Sequence, residues 1–151
     1  MKFLTLIAFF TGFVGLQLSH GQAKPVVGPT FNHAAVCVHD LKKSTDFYHT
    51  VIELQEVPNP FNDGAHTWFS IGPHLQLHVI QRDCNPTPNK NIHMCFSVAT
   101  LSQFTAHLDK LSVPYTNLKG DSKEPTLRID GVKQIYLQDP DGYWIEINDS
   151  K

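Results

Sequence analysis

His33 and His93 stand sixty positions apart, and each opens a run with the alternation of a β-strand. Each also heads a unit that closes on a short apolar run bearing one polar residue, Leu75-Gln76-Leu77 in the first and Ile145-Glu146-Ile147 in the second. With the histidines aligned, Val38 falls on Val98, Leu41 on Leu101 and Thr45 on Thr105. A repeat of this kind constrains architecture more than any local motif, because neither unit can bury its apolar face alone. The repeat predicts a metal site with a pseudo-twofold axis, built from His33, Gln76, His93 and Glu146.

Within each unit the periodicities change in the same order. Residues 31–38 alternate as a strand, Asp40 is a suitable helix N-cap, and Leu41, Phe47, Tyr48, Val51 and Ile52 recur at helical spacing. Residues 54–57 read as a short strand stopped by Pro58 and Pro60, and residues 66–71 and 74–80 as a hairpin around Gly72-Pro73. Residues 84–90, with Pro86 and Pro88, form a linker. In the second unit Thr100 to Gln103 reads as a capping box, and Leu101, Phe104, Leu108 and Leu111 mark a helix that stops before Pro114. Residues 115–118 read as a strand and 126–129 are ambiguous; residues 133–138 and 143–148 pair across Asp139-Pro140-Asp141-Gly142. Both units read as β-α-β-β-β, modules 31–82 and 91–149 of one domain.

The N-terminus is set apart from this domain. Met1-Lys2 followed by an apolar stretch to Leu18, with small residues at Ser19, Gly21 and Ala23, has the order of a secretory signal cleaved after Gly21 or Ala23. Residues 1–23 are therefore expected to be a signal peptide and 24–30 a leader segment. The mature protein is expected to be exported, periplasmic or secreted, without stable membrane association; an uncleaved anchor is the alternative. Twelve Lys and Arg against fourteen Asp and Glu, with no basic run, exclude the electrostatic footprint of a nucleic-acid binder. The three cysteines, Cys37, Cys84 and Cys95, form no CxxC and allow at most one bridge; Cys37 and Cys95 lie on the opening strands and are the pair such a bridge would join.

Strand alternation decides which residues can meet. His33, Ala35 and Cys37 share one face, His93, Cys95 and Ser97 another, and the opposite aliphatic faces are those the helices cover. Gln76 and His78 stand opposite Leu75, Leu77 and Val79, and Glu146 stands with Trp144 and Asn148 opposite Ile145 and Ile147. All four candidate ligands fall on non-core faces. Two imidazoles, one carboxylate and an amide oxygen or solvent suit one divalent ion, zinc, nickel, cobalt, manganese or iron, better than copper(I). Two further aromatic residues, Trp68 and Tyr136, could shape a pocket, although packing is the commoner role for such rings.

The paired modules, the Asn32-His33 strand, the Leu75-Gln76-Leu77-His78 strand and the run Leu137-Gln138-Asp139-Pro140-Asp141-Gly142-Tyr143-Trp144-Ile145-Glu146-Ile147 resemble the vicinal oxygen chelate superfamily. That group contains glyoxalase I, fosfomycin-modifying thiol transferases, bleomycin-binding proteins and extradiol dioxygenases. The resemblance covers residues 31–148. It implies an α+β fold of two tandem βαβββ modules forming a cupped mixed sheet with helices on the outer face, metal ligands at His33, Gln76, His93 and Glu146, and Glu146 as proton acceptor. It further implies a homodimer with cups built between chains. Glyoxalase I generally has a glutamate where Gln76 stands, so His78, two residues on, is a substitute candidate; the fosfomycin enzymes have a threonine where Ala35 stands. Two functions follow. One is a metal-dependent lyase or isomerase acting on a small substrate with vicinal oxygens. The alternative is a metal-free small-molecule sequestering protein of the bleomycin-resistance type, with thiol transferase or dioxygenase activity behind both.

Overall fold

The computed structural model describes residues 28–151 apart from Pro88, so the expected signal peptide and most of the leader lie outside the described residues. From residue 31 onward the chain forms strand β1 (His33–Val38), helix α1 (Leu41–Thr50), strands β2 (Gln55–Val57), β3 (His66–Gly72), β4 (Leu75–Gln81) and β5 (His93–Ser97), helix α2 (Leu101–Lys110), and strands β6 (Thr126–Leu127), β7 (Lys133–Gln138) and β8 (Trp144–Asn148). Two four-stranded mixed sheets result, in the orders β1-β4-β3-β2 and β5-β8-β7-β6. The outer pairs β1/β4 and β5/β8 are parallel and the rest antiparallel. The architecture is α+β, one βαβββ module per sheet.

The helices begin where the sequence places them. Asp40 accepts from the Lys43 amide and caps α1, whereas Thr100 caps α2 without a side-chain hydrogen bond, so the expected capping box does not close. Their apolar faces join one core with both sheets: Val36, Val38, Tyr48, Phe69, Leu77, Val79, Leu101, Phe104, Leu108, Ile135, Leu137, Ile145 and Ile147 are all buried. Leu77 and Ile147 are fully enclosed, and a one-residue slip of β4 or β8 would drive Gln76 or Glu146 toward that core. Pattern therefore fixes which face each candidate ligand occupies.

Several local expectations are corrected. Residues 115–118 form no strand; Thr116 makes an isolated bridge to Tyr136, and the second module's short strand is Thr126–Leu127 instead. Pro114 and the positive φ of Ser112 turn the chain too sharply for a ladder to start at once. His74 lies in the β3–β4 turn with φ of 61°, outside the strand. The disulfide joins Cys37 to Cys84, not to Cys95, with Cα atoms 6.2 Å apart; it ties β1 to the chain leaving its neighbour β4, while Cys95 is free.

The Asp139 to Tyr143 turn links the modules. Gly142 N–H donates to the Asp139 carbonyl at 3.0 Å, closing the turn with Gly142 at φ of 90°. Asp139 accepts from Tyr48 Oη at 2.7 Å, and Asp141 accepts from Ser44 Oγ at 2.8 Å and from the His39 amide at 2.9 Å. Tyr143 Oη in turn accepts from the Cys37 amide. Burial raises Asp139 and, more strongly, the phenol of Tyr48. The motif that carries most of the sequence resemblance thus has a structural task, holding β1 and α1 against the β7–β8 hairpin.

Candidate functional site

The outward faces of the two sheets hold the candidate ligands. In the second sheet Cys95 of β5, Glu146 of β8 and Tyr136 of β7 are register partners in one row. Glu146 is 5% exposed and Tyr136 3%, so both are buried although they stand on the face away from the main core. The carboxylate is buried because its hydrogen-bonding capacity is filled. Tyr136 Oη donates to Oε2 at 2.5 Å and itself accepts from Gln134; Asn148 Nδ2 donates to Oε1 at 2.8 Å; the Cys95 thiol approaches Oε1 at 3.4 Å. Burial pushes the Glu146 carboxyl up, but the donors Tyr136, Asn148 and Cys95 together with His93 outweigh it, and its pKa is lowered. Burial beside that carboxylate pushes the Cys95 thiol up to about 12, so it is not a thiolate at neutral pH.

His93 completes this half. Its Nδ1 lies 2.8 Å from the Lys90 carbonyl, an acceptor, so Nδ1 carries the proton and Nε2 is presented at the other end of the ring. That Nε2 lies 3.3 Å from Glu146 Oε2. Two donors each about 2.0–2.2 Å from one zinc-like ion, at tetrahedral or octahedral angles, are separated by about that distance. The donor set here fits a divalent cation.

The first sheet is arranged differently. His33 Nδ1 meets Asn32 Oδ1 at 2.8 Å, so this ring too presents Nε2. His33 and Gln76 are direct register partners, but Gln76 Oε1 accepts from His78 Nε2 at 3.0 Å. His78 is stacked between Trp68, at a centroid distance of 4.0 Å and 3°, and His33, at 4.3 Å and 12°. Imidazole lone pairs lie in the ring plane, so two nearly parallel stacked rings cannot direct them at one ion. His78 does not share a metal with His33 in this arrangement; it orients the Gln76 amide, whose oxygen keeps a second lone pair. Burial, with the nearby His33 and His66, lowers the His78 pKa and keeps the ring neutral.

Register also changes which residues correspond. His33 faces Gln76 and Ala35 faces His78, whereas His93 faces Trp144 and Cys95 faces Glu146. His78 therefore occupies the place of Glu146, and Trp68 that of Tyr136, although the sequence alignment matches Gln76 to Glu146. Among the described residues no three His, Cys, Asp or Glu side chains gather in a metal-holding group. His93 and Glu146 meet; His33 and Gln76 are cross-strand neighbours on the other sheet; the two pairs do not form one cluster among the described residues. Sequence reasoning put Asn148 on the Glu146 face without giving it a role, and missed Gln134 and Arg128 Nη1, the last 3.8 Å from Glu146. Polar residues in alternation with Ile145 and Ile147 were the available sign for Asn148.

The sequence profile described as the Glyoxalase/Bleomycin resistance protein/Dioxygenase superfamily matches residues 30–147. A lactoylglutathione lyase of Pseudomonas putida is 28% identical over 160 aligned residues, covering 83% of this chain and 88% of the relative. A protein of Arabidopsis thaliana named Glyoxylase I 4 is 21% identical, with 86% and 76% covered. Among solved structures, a glyoxalase family protein from Bacillus anthracis superposes with a TM-score of 0.67 at 23% identity, covering 85% of this chain and all of that one. A lactoylglutathione lyase from Agrobacterium tumefaciens gives 0.59 at 20% identity, with 80% and 93% covered.

Proposed function

We propose, from the premise that the chain belongs to the Glyoxalase/Bleomycin resistance protein/Dioxygenase superfamily, that it is a divalent-metal-dependent lyase or isomerase of glyoxalase type. Its substrate is a small molecule with two neighbouring oxygens. The observation that carries this reading is the 3.3 Å pair of His93 Nε2 and Glu146 Oε2, with the remote nitrogen of His93 tied to a carbonyl. His93 and Glu146 would hold the ion together with His33 and the Gln76 amide oxygen. When bound, a divalent ion supplies Lewis-acid polarisation of the substrate oxygens. Glu146 is the proton acceptor, ionised because three donors favour its charged form, and Tyr136 Oη sets how strong a base it is. Gln76 cannot take that role, since an amide does not accept a proton in this range.

The complete set is supplied by a homodimer in which one chain's His33 and Gln76 face the partner chain's copies of the other pair. The separation of the two pairs within one chain supports this, as do the exposed apolar side chains Phe31, Ile92, Leu127 and Ile129. Export is supported by the Cys37–Cys84 disulfide, which persists in an oxidising compartment. A substrate that requires the cytoplasmic glutathione pool fits that setting poorly.

The test is the metal content of the mature protein and of His33→Ala, His93→Ala and Glu146→Ala, followed by mixing subunits. Near-stoichiometric metal in the wild type and loss in each variant is expected. Co-refolded His33→Ala and His93→Ala chains should regain metal, because each heterodimer contains one intact site. A wild type that takes up no divalent ion overturns the enzyme reading and favours the metal-free sequestering protein, for which the neutral Gln76 and the stacked rings of the first sheet already speak. That alternative expects ligand affinity unchanged by chelator and by Glu146→Gln.

A further inference from the structure

Five rings form a continuous row on the outward face of the first sheet. Beyond His33, His78 and Trp68, the Phe61 ring meets Trp68 at 5.7 Å and 82°, and His66 meets Phe61 at 5.1 Å and 41°. Adjacent strands create this row: Trp68 and His78 are register partners, and Ala35, next along, is small enough for the His33 ring to lean diagonally onto His78. Phe61 comes from the loop after β2 and is 61% exposed. That loop is ordered by its own polar groups, with the Phe61 amide donating to Asn59 Oδ1, Asn59 Nδ2 to the His66 carbonyl and the Ala65 amide to Asp63 Oδ1.

An exposed phenylalanine is ordinary by itself, but this one ends a ring stack beside a group that folding leaves unexplained. Trp68 Nε1 is buried and has no hydrogen-bond partner among the described residues, a condition that ordinarily calls for an acceptor. One face of the indole is covered by His78 in parallel, while Phe61 meets it only edge to face.

We infer that the Phe61–Trp68 end of this row is a substrate-recognition shelf for a flat, conjugated ring carrying an oxygen acceptor, so that the substrate class is an aryl rather than a short aliphatic vicinal-oxygen compound. The inference rests on the proposed reading for the position of the substrate's oxygens, but stacking itself requires no metal. The ring of the ligand inserts between Phe61 and the indole, stacking on Trp68 with Phe61 closing over its other face, and the acceptor oxygen takes the Trp68 Nε1–H. Phe61 and Trp68 are specificity residues; neither is placed at the reacting atoms.

The experiment uses benzoylformate and pyruvate, which share their vicinal oxygens and differ in a phenyl against a methyl group. Dissociation constants for both are measured by NMR titration of the disulfide-intact protein, once chelator-treated and once loaded with zinc. Benzoylformate is expected to bind at least about tenfold tighter than pyruvate, the size of effect an added stacking contact with its buried area can produce. That ratio should persist without metal and fall to about two or less in Phe61→Ala and in Trp68→Leu. Trp68→Phe, which keeps a ring and removes only the N–H, should retain an intermediate ratio. Equal affinity of the two probes, an aryl preference that survives both variants, or no binding of either probe under any condition overturns the shelf. Aryl preference in a protein that takes up no metal would uphold the shelf while the metal-dependent reading fails; metal uptake with equal affinities would do the reverse.

Discussion

In the second sheet Glu146 and Tyr136 lie side by side, buried and joined by a 2.5 Å hydrogen bond. At the same register in the first sheet His78 and Trp68 lie side by side, stacked at 4.0 Å, with His33 against the other face of the imidazole. The lead histidines lean the same way in both sheets, His33 onto His78 and His93 toward Glu146. One scaffold therefore presents a neutral aromatic surface on one copy and a fully hydrogen-bonded carboxylate on the other. The difference teaches that the repeat sets where side chains stand, while residue chemistry decides what each stand does. The modules also differ in how they are secured. Cys37 is bonded to Cys84, while Ser97, the residue aligned with Cys37, donates to Asn148 Oδ1 at 3.0 Å.

Breaking the staple should have the largest effect. Cys84→Ser opens a disulfide spanning a sequence separation of 47 and is expected to cost about 2–4 kcal/mol in urea unfolding, against well under 1 kcal/mol for Ser97→Ala. Equal costs would show that the bridge does not constrain the first module. Next is the acidic row. Glu146→Ala leaves the buried Tyr136 and Asn148 donors without an acceptor and should cost about 2–3 kcal/mol in metal-free protein, while Gln76→Ala, which removes one half-exposed hydrogen bond, should cost about 1 kcal/mol or less.

The two rows should also respond to acid in different windows. The His78 pKa is lowered in the fold, so its neutral form is favoured and stability falls as pH drops below the ordinary value of 6.5 toward the lower folded value. The Glu146 pKa is lowered too, but there the charged form is favoured; its contribution is present above the ordinary value of 4.5 and is lost as pH falls through the folded value. Urea midpoints of chelated protein measured from pH 7 to 3 should show an early decline that His78→Phe abolishes and a later one that Glu146→Gln abolishes. A single decline unaffected by His78→Phe would remove the distinction. The smallest expected effect is that of Ala35→Thr: within about 0.5 kcal/mol in stability, since the site is exposed, with the crowded His33 ring displaced and the His78 imidazole protons shifted downfield in the NMR spectrum.

Much of this was legible in the residues. Alternation at Leu75, Leu77, Ile145 and Ile147 assigns faces because the strand period is two, and helical spacing at Leu101, Phe104 and Leu108 assigns the cover. The order of elements and the faces that carry His93 and Glu146 followed from these local rules. Ser44 was not legible as part of the module contact, since a small polar residue on a helix gives no sign that it will meet Asp141. Nor was the Cys37–Cys84 bridge, which depends on β1 pairing in parallel with β4 and so bringing Cys37 beside the chain that leaves that strand.

The sequence by itself determined the two modules, their faces and the polar residues those faces carry, because each depends on periods of two and 3.6 residues within short windows. Only the tertiary structure decided register between distant strands, and with it that His78 rather than Gln76 stands where Glu146 does. It also decided that Glu146 is buried and tied to Tyr136, and that the four candidate ligands form two pairs instead of one cluster. Pairing across a sheet is set by backbone hydrogen bonds and packing summed over whole strands, and no single residue announces which partner it will face.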